Sequence, residues 1–382
     1  MLAKRLENLH PYVPGEQPKD RVYIKLNANE NPYPPHESVS AAVKSAMESS
    51  SEKMGLYPDP DSNELRKAVA GMLNRTGGVF CTSRTDGEKC VPGEKDRIPF
   101  EVTPDMIFCG NGSDEVLSLV FYTFFDSDRP LICPEHSYSF YPVYCGYYGI
   151  PRKAVALKPD WQLDVDTMVS EANKTDSCTI FANPNAPTGL SLTRAEVSDM
   201  IRRSPKDRIF VVDEAYCDFG GESCIPLLAE FKNLVIVRTF SKSLSFAGMR
   251  LGYVVSSPDL IQAIFTVKNS FNHFPVDFLT QTAAIASCKA DFYYAENAKK
   301  VVRERESITS FLRERGWFVI DSRTNFVFAK KDGISGEEIY QCVKKAGILI
   351  RHFSTPGIED FVRISIGTPE QMNALKDVLG RL

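Results

Sequence analysis

The sequence predicts an α/β fold: a large domain whose mostly parallel sheet is flanked by helices, a smaller C-terminal α/β domain, and an extended N-terminal arm. Three observations predict it. Prolines and polar residues crowd the first 35 positions. Short apolar runs alternate with amphipathic stretches through the middle. A long charged amphipathic segment opens a different pattern after residue 290. The boundaries follow these changes: arm 1–32, large domain 33–272, small domain 273–382. A chain of 382 residues exceeds one ordinary core and suits two domains.

The arm contains His10-Pro11-Tyr12-Val13-Pro14-Gly15 and leads into Asn31-Pro32-Tyr33-Pro34-Pro35. Proline lacks an N–H and restricts the residue before it, so helix is disfavoured here. A helical pattern follows at 64–73. Strands are expected at 107–109, 130–133, 178–182, 209–212, 234–238 and 251–255, with a helix at 114–125. Strands alternating with helices make a mostly parallel sheet covered on both faces. In such sheets ligands collect at the carboxyl ends of strands, so chemistry is sought just after each apolar run. The tail reads as a helix at 291–315, strands at 326–328, 348–350 and 362–366, a helix at 336–346, and a last helix from Pro369.

Composition narrows the function. The net charge is −4 with both signs mixed, and no basic stripe points to nucleic acid. No run of 18 apolar residues suggests a membrane span, and residues 1–15 lack the apolar segment of a signal peptide. The ten cysteines include no C-x-x-C pair, and several sit in apolar stretches, as Cys133 and Cys217 do. That usage fits a reducing cytoplasm, with ten free thiols. His136, His273 and His352 share no ligand spacing with the cysteines, so no metal is expected.

Asp213 closes the run 209–212 in Val-Val-Asp-Glu-Ala-Tyr. A carboxylate at the end of a buried strand must be paired or used, and a pyridinium nitrogen suits it. A helix or turn cap explains it equally well. Lys242 follows the next strand in Ser241-Lys242-Ser243-Leu244-Ser245-Phe246-Ala247-Gly248-Met249-Arg250. An amine there can be desolvated for Schiff-base chemistry and can then move a proton. A solvated surface lysine is the competing reading, which the spacing to Gly248 and Arg250 opposes. Ser241 and the forked Arg250 suit a phosphate. Gly110-Asn111-Gly112-Ser113-Asp114 opens a helix whose free N–H groups suit a phosphate too, although an ordinary capped turn has the same look. The rigid turn Asn183-Pro184-Asn185-Ala186-Pro187-Thr188-Gly189 can hold an amide against a ring oxygen. Tyr138 can stack on a ring, or pack into core with Phe140, Tyr141 and Tyr144.

At these residues the sequence resembles the fold-type-I pyridoxal-phosphate aminotransferases, the aspartate-aminotransferase-like fold, and most nearly the histidinol-phosphate branch. The matching motifs run from about residue 11 to 368. Besides those above they include Leu26-Asn27-Ala28-Asn29-Glu30-Asn31-Pro32, Tyr57-Pro58 and Arg363-Ile364-Ser365-Ile366-Gly367-Thr368. The resemblance implies pyridoxal 5′-phosphate as cofactor, linked as a Schiff base to Lys242. It implies Asp213 on the pyridinium nitrogen, Tyr216 on the ring oxygen and Tyr138 stacked. It implies Gly112, Ser113, Asp114, Ser241 and Arg250 around the phosphate. Tyr57 would reach the partner's cofactor, so a homodimer is implied. Tyr12, Asn29, Arg351 and Arg363 would bind substrate, with His352 beside them. The implied reaction is transamination of L-histidinol phosphate with 2-oxoglutarate. An aromatic amino-acid aminotransferase and a threonine-phosphate decarboxylase share these motifs. A non-catalytic regulator is opposed by the presence of Lys242, Asp213 and Arg250, and no helix-turn-helix fits ahead of residue 20. Two departures stand out. Ala186 occupies a position where relatives carry Asn, which moves the ring-oxygen contact to Asn185. Residues 77–100, with Cys81 and Cys90, form an insertion expected to be a surface excursion.

Overall fold

The computed structural model describes Leu6, residues 9–12 and residues 15–382. The remainder of the expected arm lies outside the described residues. The chain begins with β1 (Ile24–Lys25), α1 (Glu37–Ser49) and α2 (Asn63–Thr76). A hairpin, β2 (Arg84–Asp86) and β3 (Lys89–Val91), precedes β4 (Ile107–Gly110) and α3 (Gly112–Phe124). Then come β5 (Leu131–Pro134), α4 (Tyr141–Tyr148), β6 (Arg152–Val155), α5 (Val165–Thr175), β7 (Thr179–Ala182) and α6 (Arg194–Arg203). β8 (Phe210–Asp213), β9 (Leu234–Thr239) and β10 (Gly252–Ser256) follow, and after them α7 (Pro258–Phe271), α8 (Phe278–Lys289) and α9 (Asp291–Arg313). The last part holds β11 (Trp317–Ile320), β12 (Phe326–Lys331), α10 (Gly336–Lys345), β13 (Ile348–Leu349), β14 (Arg351–His352), β15 (Val362–Ser365) and α11 (Pro369–Leu379).

Seven strands form one sheet in the order β4-β10-β9-β8-β7-β5-β6. β10 runs antiparallel to both neighbours, and the other six run parallel. The carboxyl ends of those six therefore share one edge. The inner strands are buried on both faces because helices cover both. On one face α3, α4 and α7 pack Val116, Phe121, Tyr141 and Ile264 over Val235 and Val237. The core on the other face, with Leu65 and Ile236, continues into the second sheet through Trp317, Ile339 and Leu375. β6 escaped the sequence reading because Arg-Lys-Ala-Val contains no apolar run. It is an edge strand, and its exposed Arg152 and Lys153 discourage further pairing.

The second sheet is antiparallel, in the order β11-β12-β15-β14. Near it β1 pairs in parallel with β13, Ile24 opposite Ile348. Capping boxes start α6 at Thr193, α10 at Ser335 and α11 at Thr368.

The insertion departs from the expected surface excursion at its base. Val79 and Phe80 are buried, the Gly78 carbonyl accepts from Arg238 at 2.8 Å, and the Phe80 N–H donates to Asp218 at 3.2 Å. The Thr85 hydroxyl donates to Glu296 of α9 at 2.9 Å. These apolar and polar contacts anchor the base, while the charged hairpin tip stays outside. All ten cysteines are free, and burial pushes the Cys81 thiol up to about 12 and Cys90 up to about 11. No helix among the described residues is long and apolar enough to cross a membrane.

Candidate active site

A cavity of about 860 Å³ opens near the shared strand edge, and Tyr12, Tyr138, Tyr216, Lys242, Arg351 and Arg363 all line it. Lys242 follows β9, and its Nζ donates to the Ala28 carbonyl at 3.3 Å and lies 5.6 Å from the centre of the Tyr216 ring. The Asn31 amide donates to the carbonyls of Lys242 at 2.9 Å and Ser243 at 3.1 Å.

Asp213 ends β8 and is 4% exposed. It accepts from the Tyr141 hydroxyl at 3.0 Å and the Ala215 N–H at 3.2 Å. Among the described residues no ion pair involves it. Burial, only partly offset by those two bonds, raises its pKa to about 6. A cation beside it would remove that penalty. In the sequence Tyr141 is one of an aromatic cluster, and nothing in the local pattern reveals its bond to Asp213.

Tyr216 lies just past β8. Its hydroxyl accepts from the Asn29 amide at 2.9 Å, which leaves its own hydrogen to donate elsewhere. Asn29 sits in the left-handed region, and its carbonyl oxygen accepts from the Ser365 hydroxyl at 3.0 Å. Asn29 lines the cavity, as expected of a substrate contact, and its amide also bridges β15 to Tyr216.

The turn into α3 is a cradle. Gly112 has φ +79°, and a Cβ there would lie 2.5 Å from the Arg250 guanidinium. A Cβ on Gly252 would lie 2.5 Å from the Ser113 nitrogen. Only glycines let turn, strand and guanidinium come this close. The first N–H groups of α3 have no acceptor within the helix. Asp114 pairs with Arg250 at 2.8 Å and accepts from the Tyr138 hydroxyl at 2.7 Å, so one carboxylate orients both. Ser241, just beyond β9, is buried. An uncompensated buried carboxylate, a glycine cradle at a helix start and a lysine facing the cavity fit a phosphorylated pyridine cofactor.

At the other side, Arg351 and Arg363 are direct partners in the β14–β15 ladder. Residues directly opposite in an antiparallel pair project to the same face, and like charges there are unfavourable. The Arg363 Nε is buried without a hydrogen-bond partner, and burial lowers the pKa of the guanidinium. It rests against Phe326 and Phe353, 5.3 and 5.5 Å from their ring centres. This arrangement suits an anion. Tyr12 joins from the arm with its ring 4.7 Å from Phe140.

Three expected residues stand elsewhere. Tyr57 is 82% exposed, stacked on Phe274 at 4.4 Å, and does not line this chain's cavity. Asn185 does not present its amide to a ring: it donates to the His136 carbonyl at 3.0 Å and to the Thr188 hydroxyl at 3.1 Å. Its oxygen accepts from Ser137 at 2.8 Å, so the turn consumes the whole side chain. His352 turns toward Glu337, 3.0 Å away, and the Glu359 carbonyl rather than the cavity. No cluster of His, Cys, Asp or Glu among the described residues could hold a metal.

Comparison with known proteins gives consistent matches. A family model described as aminotransferase class I and II matches residues 21–379. Histidinol-phosphate aminotransferase of Syntrophus aciditrophicus (strain SB) is 44% identical over 383 residues, covering 100% of this chain and 98% of that protein. Histidinol-phosphate aminotransferase 1 of Bradyrhizobium diazoefficiens is 40% identical, covering 99% of this chain and 97% of that protein. The crystal structure of histidinol-phosphate aminotransferase from Sinorhizobium meliloti in complex with pyridoxal-5′-phosphate has a TM-score of 0.83 at 23% identity, covering 100% of this chain and 96% of that one. Aspartate aminotransferase from Thermus thermophilus with maleate has a TM-score of 0.79 at 19% identity, covering 100% and 99%. At these identities the structural matches speak for the fold.

Proposed function

Because the chain belongs to the class I and II aminotransferase family, whose cofactor is pyridoxal 5′-phosphate, we propose that it moves the amino group of L-histidinol phosphate to 2-oxoglutarate. The products are imidazole acetol phosphate and L-glutamate, a step of histidine biosynthesis. The observation that carries the substrate is the Arg351–Arg363 pair at the cavity. Two guanidiniums forced together suit a phosphate in one half-reaction and a carboxylate in the other.

Bound pyridoxal phosphate supplies an electron sink for the pair of electrons left when the substrate carbon loses its proton. The protein does the rest. Asp213 holds the ring nitrogen protonated, and Tyr141 holds Asp213. Tyr216 donates to the ring oxygen, fixed by Asn29. Tyr138 stacks on the ring. The Ser113 and Asp114 N–H groups at the Gly112 turn, with Ser241 and Arg250, bind the cofactor phosphate. Lys242 would hold the cofactor, and its released amine would take the proton from the substrate carbon and deliver it to the cofactor carbon on the other side of the shared nitrogen. Arg363 and Arg351 bind the substrate anion, and Tyr12 covers it. Asn185 braces the loop through Ser137. The enzyme works in the cytoplasm as a homodimer, Tyr57 of each subunit reaching the other's cofactor phosphate.

The test is a half-reaction. Cofactor-loaded protein mixed with L-histidinol phosphate, without 2-oxoglutarate, should release imidazole acetol phosphate. No release, beside rapid turnover of phenylalanine or CO₂ from threonine phosphate, would sink the substrate assignment.

The dimer has its own test. Tyr57→Phe should weaken cofactor binding about tenfold, the cost of one hydrogen bond to a charged group. Remixing subunits with Lys242→Ala protein should restore tight binding at one site, where Lys242 comes from one subunit and Tyr57 from the other. A Tyr57→Phe protein that binds cofactor like the wild type refutes the cross-subunit contact.

Asp213 predicts a pH effect. Its raised folded pKa means that the cofactor-free protein loses stability as pH rises from about 4 through about 6. The loss is about 3 kcal/mol for a shift of about two units. Pairing with the pyridinium favours the carboxylate and removes the loss. The melting-temperature gain on adding cofactor should therefore be larger at pH 7.5 than at pH 5, and Asp213→Asn should flatten the difference. Equal gains at both pH values would refute the pairing.

A further inference from the structure

A buried charge cluster adjoins Lys242, and none of its members lines the cavity. Arg238 of β9 donates to Glu214 at 2.9 Å, to Asp218 at 3.0 Å and to the Gly78 carbonyl at 2.8 Å. None of the three charged residues is more than 5% exposed. Buried charges are tolerated only when their bonds are complete. Here Glu214 also accepts from the Ser223 hydroxyl at 2.9 Å and the Cys224 N–H, and Asp218 accepts from the Phe80 N–H at 3.2 Å. The remaining oxygen of Asp218 accepts from the Ser243 hydroxyl at 2.6 Å. Ser243 is the residue after Lys242, and the Asn31 amide spans the carbonyls of both.

We propose that Asp218 and Ser243 are positioning residues for Lys242. Their hydrogen bond fixes the backbone from which the lysine reaches into the cavity, while Arg238 and the base of the insertion hold Asp218 still. The amine itself makes one 3.3 Å bond to the Ala28 carbonyl and a 5.6 Å approach to the Tyr216 ring, both weak, so its place is set mainly by its backbone. Proton transfer needs reacting atoms held at about 3–3.5 Å, and misplacement by about 1 Å can cost a hundredfold. The proposal rests on the reading that Lys242 carries the cofactor.

Ser243→Ala and Asp218→Asn are expected to slow, about tenfold, the rate at which cofactor-stripped protein forms a borohydride-reducible bond to pyridoxal phosphate at Lys242. They should lower kcat by a similar factor and leave the KM for the amino donor within about twofold. The double variant should be no slower than Ser243→Ala alone, because loss of the hydroxyl already removes the bond that Asp218→Asn weakens. A cluster that only stabilises the fold would lower the melting temperature and leave the capture rate unchanged. That outcome overturns the proposal, and so does full additivity of the two substitutions. Ser243→Ala deletes one oxygen and leaves the ion pairs in place, so it decides the matter even if Asp218→Asn does not fold. Wild-type protein without any reducible bond at Lys242 would remove the reading of Lys242, and this proposal with it.

Discussion

Lys242→Ala should lower turnover about 10⁴-fold or more, because on the proposed reading it deletes both the covalent attachment and the proton carrier. The absorbance band of the lysine-linked cofactor disappears, and borohydride no longer fixes the cofactor to the protein. Some cofactor remains, since Asp213 and the cradle of Gly112, Ser113 and Arg250 are untouched. The melting temperature of the cofactor-free protein changes little, because the Nζ makes one long hydrogen bond. Mass spectrometry of the reduced protein and steady-state kinetics check this. Near-normal turnover would end the whole assignment.

Arg363→Ala is the second large effect. Its guanidinium donates weakly to the Asn27 carbonyl at 3.4 Å, and its Nε has no partner. That donor suits an anion. Losing a buried, charge-assisted bond costs about 2–5 kcal/mol, which is about 30- to 4,000-fold in the KM for L-histidinol phosphate. Arg363→Lys recovers only part of it, because an ammonium cannot fork onto two oxygens. The substrate-free protein should melt close to the wild type, since relief of the like charges opposed across β14 and β15 offsets the packing lost on Phe326 and Phe353. Steady-state kinetics and a melting curve together check both halves. An unchanged KM for the phosphorylated donor, with a raised one for aromatic amino acids, would transfer the substrate assignment to the aromatic class.

Much of this was legible from the chain. Residues 234–238 and 209–212 announce themselves as strands because burial on both faces demands unbroken apolar runs. The positions of Asp213 and Lys242 just at or past strand ends could be picked from neighbours a few residues away, and the structure has Asp213 closing β8 and Lys242 following β9. What was hidden depends on partners far off in sequence. Tyr141 meets Asp213, Asn29 meets Tyr216, and Arg238 meets both Gly78 and Asp218. No local period encodes such bonds. Asn185 has the same character: an amide in a rigid turn can face a ligand or close the turn, and its bonds to His136 and Thr188 come from partners that no local pattern shows. The insertion reads as a loop because its buried apolar side chains, Val79, Phe80 and Cys90, are few and separated by charges.

The pairing of β1 with β13 joins residues more than three hundred positions apart. A ribosome adds about 5–20 residues each second, so the arm waits some tens of seconds for its partner strand to be made. Throughout that time Asn29 has no Ser365 to hold it, and Tyr216 no settled Asn29. Tyr216 therefore reaches its final hydrogen-bonded setting only after β15 has been made, and the proposed site around Asp213 and Lys242 is completed by one of the last strands of the chain.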